Sequence, residues 1–469
     1  MGPADDAAMA SVTAGRQRSL PLPRLWGLRP ADVTALLAGN AVLIVAMWVR
    51  HGGLDQLHTL GGTLTAIGQL TALLGTYLAL VQLVLMSRSP WLDEAFGMDR
   101  LAWWHRWLGF ATVWLIAAHG VTTLTGYALN DGASLVDETI TIVGTFPFVL
   151  WSVVGFALFV LVGVTSIRAA RRRLSYETWF GLHLYAYLAI ALASFHQLFT
   201  GADFIHDPVA VGYWVALYVV AALLIVVFRL GQPAWTSWRH RLRVSAVVPE
   251  TQGTVSIYFT GRDLDRLRVR SGQYFVFRFL TRDGWWRGFP FSLSSAPNGH
   301  WLRITVKALG DDSARLATLP AGTPVFVEGP YGVLTGARRT RPRVTLIAGG
   351  IGIAPLRALL ESLPGNPGDL TLVYRASHTL DLVFRHELDL LAEHRSARIH
   401  YVIGHRGGGH DALADGDPMG PEAIRRLVPD IVAHDVFLCG PTGLMRAVER
   451  HLRGLGVPRR HIHAERFAY

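Results

Sequence analysis

The sequence predicts a membrane α-helical bundle of six spans, followed by a soluble region made of a small antiparallel β-barrel and a parallel α/β domain. Three observations predict this. Long charge-free runs crowd the first half of the 469 residues, short strands with alternating patterning follow, and from Arg343 continuous apolar strands alternate with helix-like segments. The composition agrees, because 51% hydrophobic and 17% charged residues with a mean hydropathy of +0.31 exclude a disordered chain. Cys439 is the single cysteine, which excludes a disulfide framework and any multi-cysteine zinc or iron–sulfur site. A metal centre must then rest on the 19 histidines. The net charge of +10 is almost all arginine, Lys307 being the sole lysine. These arginines lie at helix ends and across the soluble half rather than in one basic tail, so no nucleic-acid partner is expected and the bilayer and phosphate groups are.

The first span, Val33 to Val49, is slightly short and carries Asn40. It follows a tail with Arg16, Arg18, Arg24 and Arg29 that lacks a cleavable signal pattern, so it reads as a retained anchor. Thr59 to Ser87 has no Asp, Glu, Lys or Arg over 29 residues, and similar runs occupy Trp107 to Asn130, Thr139 to Ile167, Thr178 to Ala202 and Val209 to Phe228. A helical crossing needs about 20 residues. Arg88, Arg100 and Arg106 lie between spans two and three, and Arg168, Arg171, Arg172 and Arg173 between four and five. The alternate connections carry Asp131, Asp137 and Glu138, then Asp203 and Asp207. The positive-inside rule therefore places both termini, and everything after Leu230, on the cytoplasmic side of the cell (inner) membrane. The expected domains are a cytoplasmic tail over 1–30, a six-helix domain over 31–230, a barrel over 238–338 and an α/β domain over 340–469.

Ionisable residues inside spans are rare and mark function. His105 and His119 stand 14 apart on span three, and His183 and His196 stand 13 apart on span five. At about 1.5 Å per residue each pair is separated by roughly 20 Å along its helix, most of a hydrocarbon core. The two spans run in the same direction. His105 and His183 thus share one depth and His119 and His196 another, forming two rungs that can each clamp a haem iron from both sides. A spacing of 14 returns within roughly 40° of one face, whereas 13 leaves the second histidine about 140° away. A tilt, overwinding or kink is therefore expected in span five.

From about Arg239 to Thr335 the strands LRVSAVV, TVSIYF, YFVFRF, LRITVKAL and TPVFVEG are separated by Gly, Asp and Pro turns. Among them stand FPFSLSSAP (Phe289, Pro290, Phe291, Ser292, Ser294, Ser295), VKALGDDS (Lys307, Gly310, Ser313) and EGPYG. Aromatics beside hydroxyls and a Lys-x-x-Gly turn can hold a planar ring and a pyrophosphate. The strand VTLIA then runs into GGIGIAP (Gly349, Gly350, Gly352, Pro355) and a helix-like segment, the arrangement of a Rossmann-like phosphate-binding turn. The next strand ends at Arg375, and Arg406 follows in VIGHRGG. No acid occupies the position that would hold a free ribose 2′-hydroxyl, which favours NADPH over NADH. The last of these strands delivers Cys439, Gly440 and Pro441 to its C-terminal end, where open parallel sheets bind ligands.

Taken together, these residues resemble the ferric reductase and NADPH oxidase superfamily from the second span to Tyr469. The resemblance implies a six-helix domain with two b haems, an FAD-binding barrel and a ferredoxin reductase-like NAD(P)H domain. His105, His119, His183 and His196 would ligate iron; Phe289, Pro290, Phe291, Ser292, Ser294, Ser295, Lys307, Gly310 and Ser313 would hold FAD. Gly349, Gly350, Gly352, Pro355, Arg375, Arg406, Gly440 and Pro441 would line the nicotinamide cofactor site. Cys439 and Tyr469 are the catalytic candidates, Tyr469 shielding the flavin ring until nicotinamide displaces it. The family usually has His or Arg before Pro-Phe-Ser, and here Phe289 stands there. Arg287, Arg303 or Lys307 is then expected to neutralise the pyrophosphate, and FAD is expected to leave easily if none does.

The implied activity is electron transfer from cytoplasmic NADPH through FAD and haem to an extracytoplasmic small molecule, either oxygen, giving superoxide, or a ferric chelate. Two other readings stay open at this stage: a module that reduces a protein partner, and a flavoprotein attached to a proton-conducting bundle without haem.

Overall fold

The computed structural model describes residues 29–201, 204, 207–404 and 417–465. The chain divides into two compact units, Trp26–Arg229 and, apart from the N-terminal tail, Leu230–Tyr469.

The first unit is helical. α1 (Pro30–Arg50), α2 (Leu60–Leu85), α3 (Pro90–Phe96), α4 (Met98–Asp131), α5 (Leu135–Thr145), α6 (Val149–Ser166), α7 (Tyr176–Thr200) and α8 (Pro208–Leu224) follow in order. Six helices are long and apolar enough to cross a bilayer. Their starts are written in the sequence: the Thr59 and Ser175 hydroxyls accept from the amides of Gly62 and Thr178, and Asp207 accepts from Val209 and Ala210 with Pro208 behind it.

The fourth span begins later than its charge-free run suggests. Pro147 offers no amide and Phe148 has φ of 64°, so Thr139–Ile167 is cut into the separate helices α5 and α6. The third span begins earlier: α4 takes Asp99, Arg100 and Arg106 into its first turns. The overwinding among the irregularities expected of the fifth span is not found, since α7 is continuous α-helix with neither a 3₁₀ nor a π turn.

Two helix pairs dominate the packing, α2 with α4 and α6 with α7. Glycines 61, 68 and 75 on α2 and 126 on α4 allow the first pair to meet backbone to backbone. A β-carbon on Gly68 would lie 2.2 Å from Thr123 Oγ1, and one on Gly126 would lie 2.8 Å from the Gly61 carbonyl.

In the second unit, α8 continues through a π-helical stretch, Ile225–Gly231, into α9 (Gln232–His240). Then come β1 (Arg243–Thr251), β2 (Thr254–Thr260), β3 (Tyr274–Phe279), β4 (Phe289–Ser292), β5 (Leu302–Lys307) and β6 (Val325–Tyr331). They form two three-stranded antiparallel sheets, β1-β2-β5 and β4-β3-β6, rather than the closed barrel the alternation predicts. Isolated bridges, Arg243 with Pro324 and Leu293 with Ile304, and the few backbone hydrogen bonds beside them join the sheets without a continuous ladder. Prolines explain the open seams: Pro324 and Pro290 have no amide to donate to a ladder. Phe259, Phe275, Phe277, Ile304 and Val327 fill the space between the sheets.

The remaining strands, β7 (Val344–Gly349), β8 (Leu370–Ala376), β9 (Arg398–Ile403), β10 (Asp435–Cys439) and β11 (Ile462–Ala464), form one parallel sheet in the order β11-β10-β7-β8-β9. Apolar clusters cover both faces, as the uninterrupted VTLIA and DVFLC require. The helices between its strands are α10 (Ile353–Ser362), α11 (Arg385–Arg395), α12 (Pro421–Leu427) and α13 (Thr442–Gly454). The strand order reverses between β7 and β10, the crevice where such sheets take ligands.

Candidate functional site

Within the first unit, α4 and α7 bring four imidazoles together in two pairs. The ring centres of His105 and His183 are 5.8 Å apart, and those of His119 and His196 are 6.5 Å apart. Both pairs thus form on an uninterrupted α7 despite the spacing of 13.

Three of the four rings are oriented through Nδ1. His119 Nδ1 lies 3.0 Å from the Gly68 carbonyl, to which it donates. Thr200 Oγ1 already donates to the His196 carbonyl, so His196 Nδ1 donates to that hydroxyl at 2.7 Å. His183 Nδ1 lies 3.3 Å from Ser166 Oγ. His105 Nδ1 is buried with no hydrogen-bond partner among the described residues. Holding Nδ1 in this way leaves Nε2 as the nitrogen available to a metal. Only the close approach at Gly68 puts a third helix's carbonyl within reach of His119, a contact that histidine spacing alone does not reveal.

In the second unit, the turn after β7 and the turn after β10 interlock. A β-carbon on Gly352 would lie 2.4 Å from the Cys439 carbonyl oxygen, and one on Gly440 would lie 3.0 Å from Gly349 Cα. Gly350 adopts φ of 52°, which turns the chain into the single 3₁₀ turn before α10, in whose first turn Pro355 is buried. Arg375 stands in register with Gly349 on the adjacent strand, at the same edge of the sheet. Cys439 is buried, and that burial, with the Glu465 carboxylate adding to it, pushes the thiol up so that it stays protonated at neutral pH. Glu465 also faces Gly332 of the EGPYG turn, joining the two predicted cofactor regions through a residue the motif reading did not single out. Tyr469 and Arg406 lie outside the described residues.

Because backbone rather than a flexible side chain faces Gly352, Gly352→Ala is expected to force the two turns apart. We expect a cost of about 1–3 kcal/mol and a KM for NAD(P)H raised about tenfold, with flavin content unchanged. Steady-state kinetics with a dye acceptor checks this.

The FPFS segment forms β4, with the Phe289 and Phe291 rings parallel and 6.1 Å apart. The Ser292 and Ser295 hydroxyls are buried without a partner among the described residues. Ser294 differs, since its hydroxyl accepts from Arg303 Nε at 3.1 Å and from Thr305 at 2.8 Å. Ser313 Oγ accepts from the amides of Leu309 and Gly310 and so closes its own turn.

The three cations expected to replace the missing basic residue are all ion-paired. Arg287 is bound to Asp312, Lys307 lies 3.4 Å from Asp381, and Arg303 is clamped by Glu387 through two bonds of 3.1 Å. Arg303 is 2% exposed and is thereby removed as a candidate. Its place is structural, because the cost of burial is outweighed by the Glu387 charge, with Tyr258 adding to it, and the guanidinium stays protonated. The Arg287 and Lys307 pairs are partly exposed and exchangeable. We therefore expect loosely held FAD: gel filtration without added flavin is expected to lower the absorbance ratio of flavin to protein severalfold, and Lys307→Ala to lower it further.

Comparison with known proteins matches each half separately. Residues 71–194 match the ferric reductase like transmembrane component family and residues 346–450 the oxidoreductase NAD-binding domain family. The glycine betaine monooxygenase reductase subunit of Chromohalobacter salexigens is 28% identical over 242 residues, 50% of this chain and 65% of that protein. Ferredoxin–NADP reductase B of Sorangium cellulosum is 33% identical over 189 residues, 38% of this chain and 77% of that protein. The FAD/NAD binding domain of nitric oxide dioxygenase from Vibrio cholerae aligns over 49% of this chain and 99% of its own, with 27% identity and a TM-score of 0.40. The chain spans less than two thirds of the first of these relatives. Six helices long and apolar enough to cross a bilayer in one half and a parallel sheet in the other accompany these matches, and together they mark a protein of ferric reductase and NADPH oxidase type, in which a ferric reductase like transmembrane component is joined to an oxidoreductase NAD-binding domain.

Proposed function

We propose that the protein takes electrons from cytoplasmic NADPH and passes them through FAD and two b haems to an extracytoplasmic acceptor, oxygen or a ferric chelate. The observation that carries this reading is the pairing of imidazoles across α4 and α7. With metal–nitrogen bonds of about 2 Å and roughly 1.2 Å from ring centre to nitrogen, two imidazoles that share one iron would stand about 6.4 Å apart. The ring-centre distances of 5.8 and 6.5 Å bracket that value. His105 with His183 would hold one iron and His119 with His196 the other, and bound haem supplies one-electron carriage. Held by two histidines each, such groups would supply outer-sphere one-electron transfer to the acceptor.

The soluble half supplies the fuel. Gly349, Gly350, Gly352 and Gly440 let backbone approach the nicotinamide dinucleotide, and Arg375 offers charge to a 2′-phosphate. The orphaned Ser292 and Ser295 hydroxyls and the Phe289–Phe291 pair suit FAD. Cytoplasmic placement of both termini follows from the arginine-rich connections, and no protein partner is required.

A pyridine haemochrome assay tests the reading, two haems per chain being expected. None would leave a flavoprotein on a structural or proton-conducting bundle. Superoxide formation and ferric-chelate reduction, measured on the same FAD-supplemented protein, separate the acceptors. Negligible oxygen uptake with brisk iron reduction would discard the oxidase reading, and NADPH is expected to be used in preference to NADH.

A further inference from the structure

We propose that the outer face of α9 and the adjoining Arg262 turn bind the phosphate of an anionic phospholipid headgroup. Two independent observations converge on this face. The first is depth. The helix that begins at Pro208 runs to His240, 33 residues in all. At about 1.5 Å per residue that is about 50 Å, against about 40–45 Å for a bilayer with both headgroup layers. Its apolar run stops at Leu230, so its last turns must leave hydrocarbon at headgroup level.

The second is what these turns carry. Pro233, Thr236 and His240 are buried against the soluble unit, while Trp235 and Trp238 face outward at 59% and 60% exposure with ring centres 5.1 Å apart. An apolar ring with a polar edge suits the membrane interface. Beside Trp238 lies a cleft of about 380 Å³ lined by Arg239, Arg241, Arg262 and Asp263. Asp263 takes Arg239 at 3.1 Å, so the charge of two further arginines is left for an anion.

The backbone there is built rather than loose. His240 Nδ1 donates to the Arg262 carbonyl at 2.9 Å, the Arg262 amide donates to the His240 carbonyl at 2.6 Å, and Arg241 Nε donates to the Trp238 carbonyl at 3.3 Å. Arg241 and Asp263 both hold left-handed backbone, at φ of 44° and 50°, which directs the two connections around the cleft. A phosphodiester charge complements this lining, and the tryptophans fit the glycerol and acyl-chain boundary next to it.

The test uses the full chain in nanodiscs containing phosphatidylglycerol and phosphatidylcholine, with retained lipid counted by native mass spectrometry. Each arginine near an anionic surface contributes about a fivefold preference, so Arg241→Gln with Arg262→Gln is expected to reduce retained phosphatidylglycerol about 25-fold relative to phosphatidylcholine. Dye reduction at the flavin stays at the parent rate, which verifies folding. The remote pair Arg425→Gln with Arg426→Gln is the control and is expected to leave the preference intact. Equal retention by parent and variant overturns the proposal. So does an equal loss in the control, which would mean general surface charge. Displacement of the lipid by millimolar inorganic phosphate also overturns it, because the cleft would then be a soluble-anion site.

Discussion

His119→Ala is expected to abolish reduction of an external acceptor while dye reduction at the flavin stays within about twofold of the parent. His119 is the ring whose surroundings are most completely specified: its Nδ1 is shared between the Gly68 carbonyl at 3.0 Å and Thr123 Oγ1 at 3.1 Å, and its partner His196 stands across at 6.5 Å. On the proposed ligation, removing it would leave His196 alone to hold iron, and one imidazole gives neither the affinity nor the low-spin state of two. The haemochrome value is expected to fall from two to one per chain. The soluble unit has its own core and is untouched. Loss of both activities together, with loss of the folded protein, would point to a structural role for the ring instead. Gly68→Ala offers a milder version, since it pushes the two backbones apart and lengthens the bond to His119; a shifted outer-haem spectrum with two haems retained is the expected result.

Glu387→Ala is expected to be the most destabilising single change in the soluble unit, at about 3–5 kcal/mol. The carboxylate on α11 pairs with Arg303 on β5 and Arg357 on α10, and all three side chains are at most 9% exposed. Glu361, which also pairs with Arg357, accepts the Ala296 amide at 2.7 Å. Removing Glu387 leaves the Arg303 guanidinium buried without a carboxylate and leaves Arg357 with Glu361 as its remaining carboxylate. Burial by itself would push its pKa up, but Arg357 and Arg303 outweigh that and hold it below the ordinary glutamate range. A depressed folded pKa means that this stabilisation is complete above the unfolded value and is lost as pH falls through the folded one. The urea midpoint of the parent should therefore drop on acidification below the ordinary glutamate range, and that part of the pH dependence should vanish in Glu387→Gln. A midpoint for Glu387→Ala within experimental error of the parent would falsify the assignment.

The parts of this molecule legible in its sequence are those with local contrast. A histidine in an otherwise uncharged run stands out, as do a glycine string between a strand and a helix and arginines confined to alternate connections. The break before α6 had no such contrast, because Thr139–Ile167 is uniformly uncharged and only the amide missing at Pro147 divides it. The open seams of the barrel were equally hidden: alternation gives each strand its faces but says little about whether Pro290 and Pro324 fall where ladders must close. Least legible was the pairing of Arg303 with Glu387, 84 positions apart, each ordinary in its own segment. That pairing is also why Arg303 looked available to a pyrophosphate and is not.

Three of the four glycines of α2 recur every seven residues, at 61, 68 and 75. A seven-residue recurrence keeps them along one side of α2, where α4 packs too closely for added β-carbons, so the two helices form one tightly packed leaf. The α6–α7 pair makes a second leaf. Whatever bridges the imidazoles then acts as the binding of this two-leaved book and sets how far it opens. Extraction of the bridging group is expected to speed hydrogen exchange along all of α7, not only beside His183 and His196, whereas the α2–α4 leaf keeps its protection.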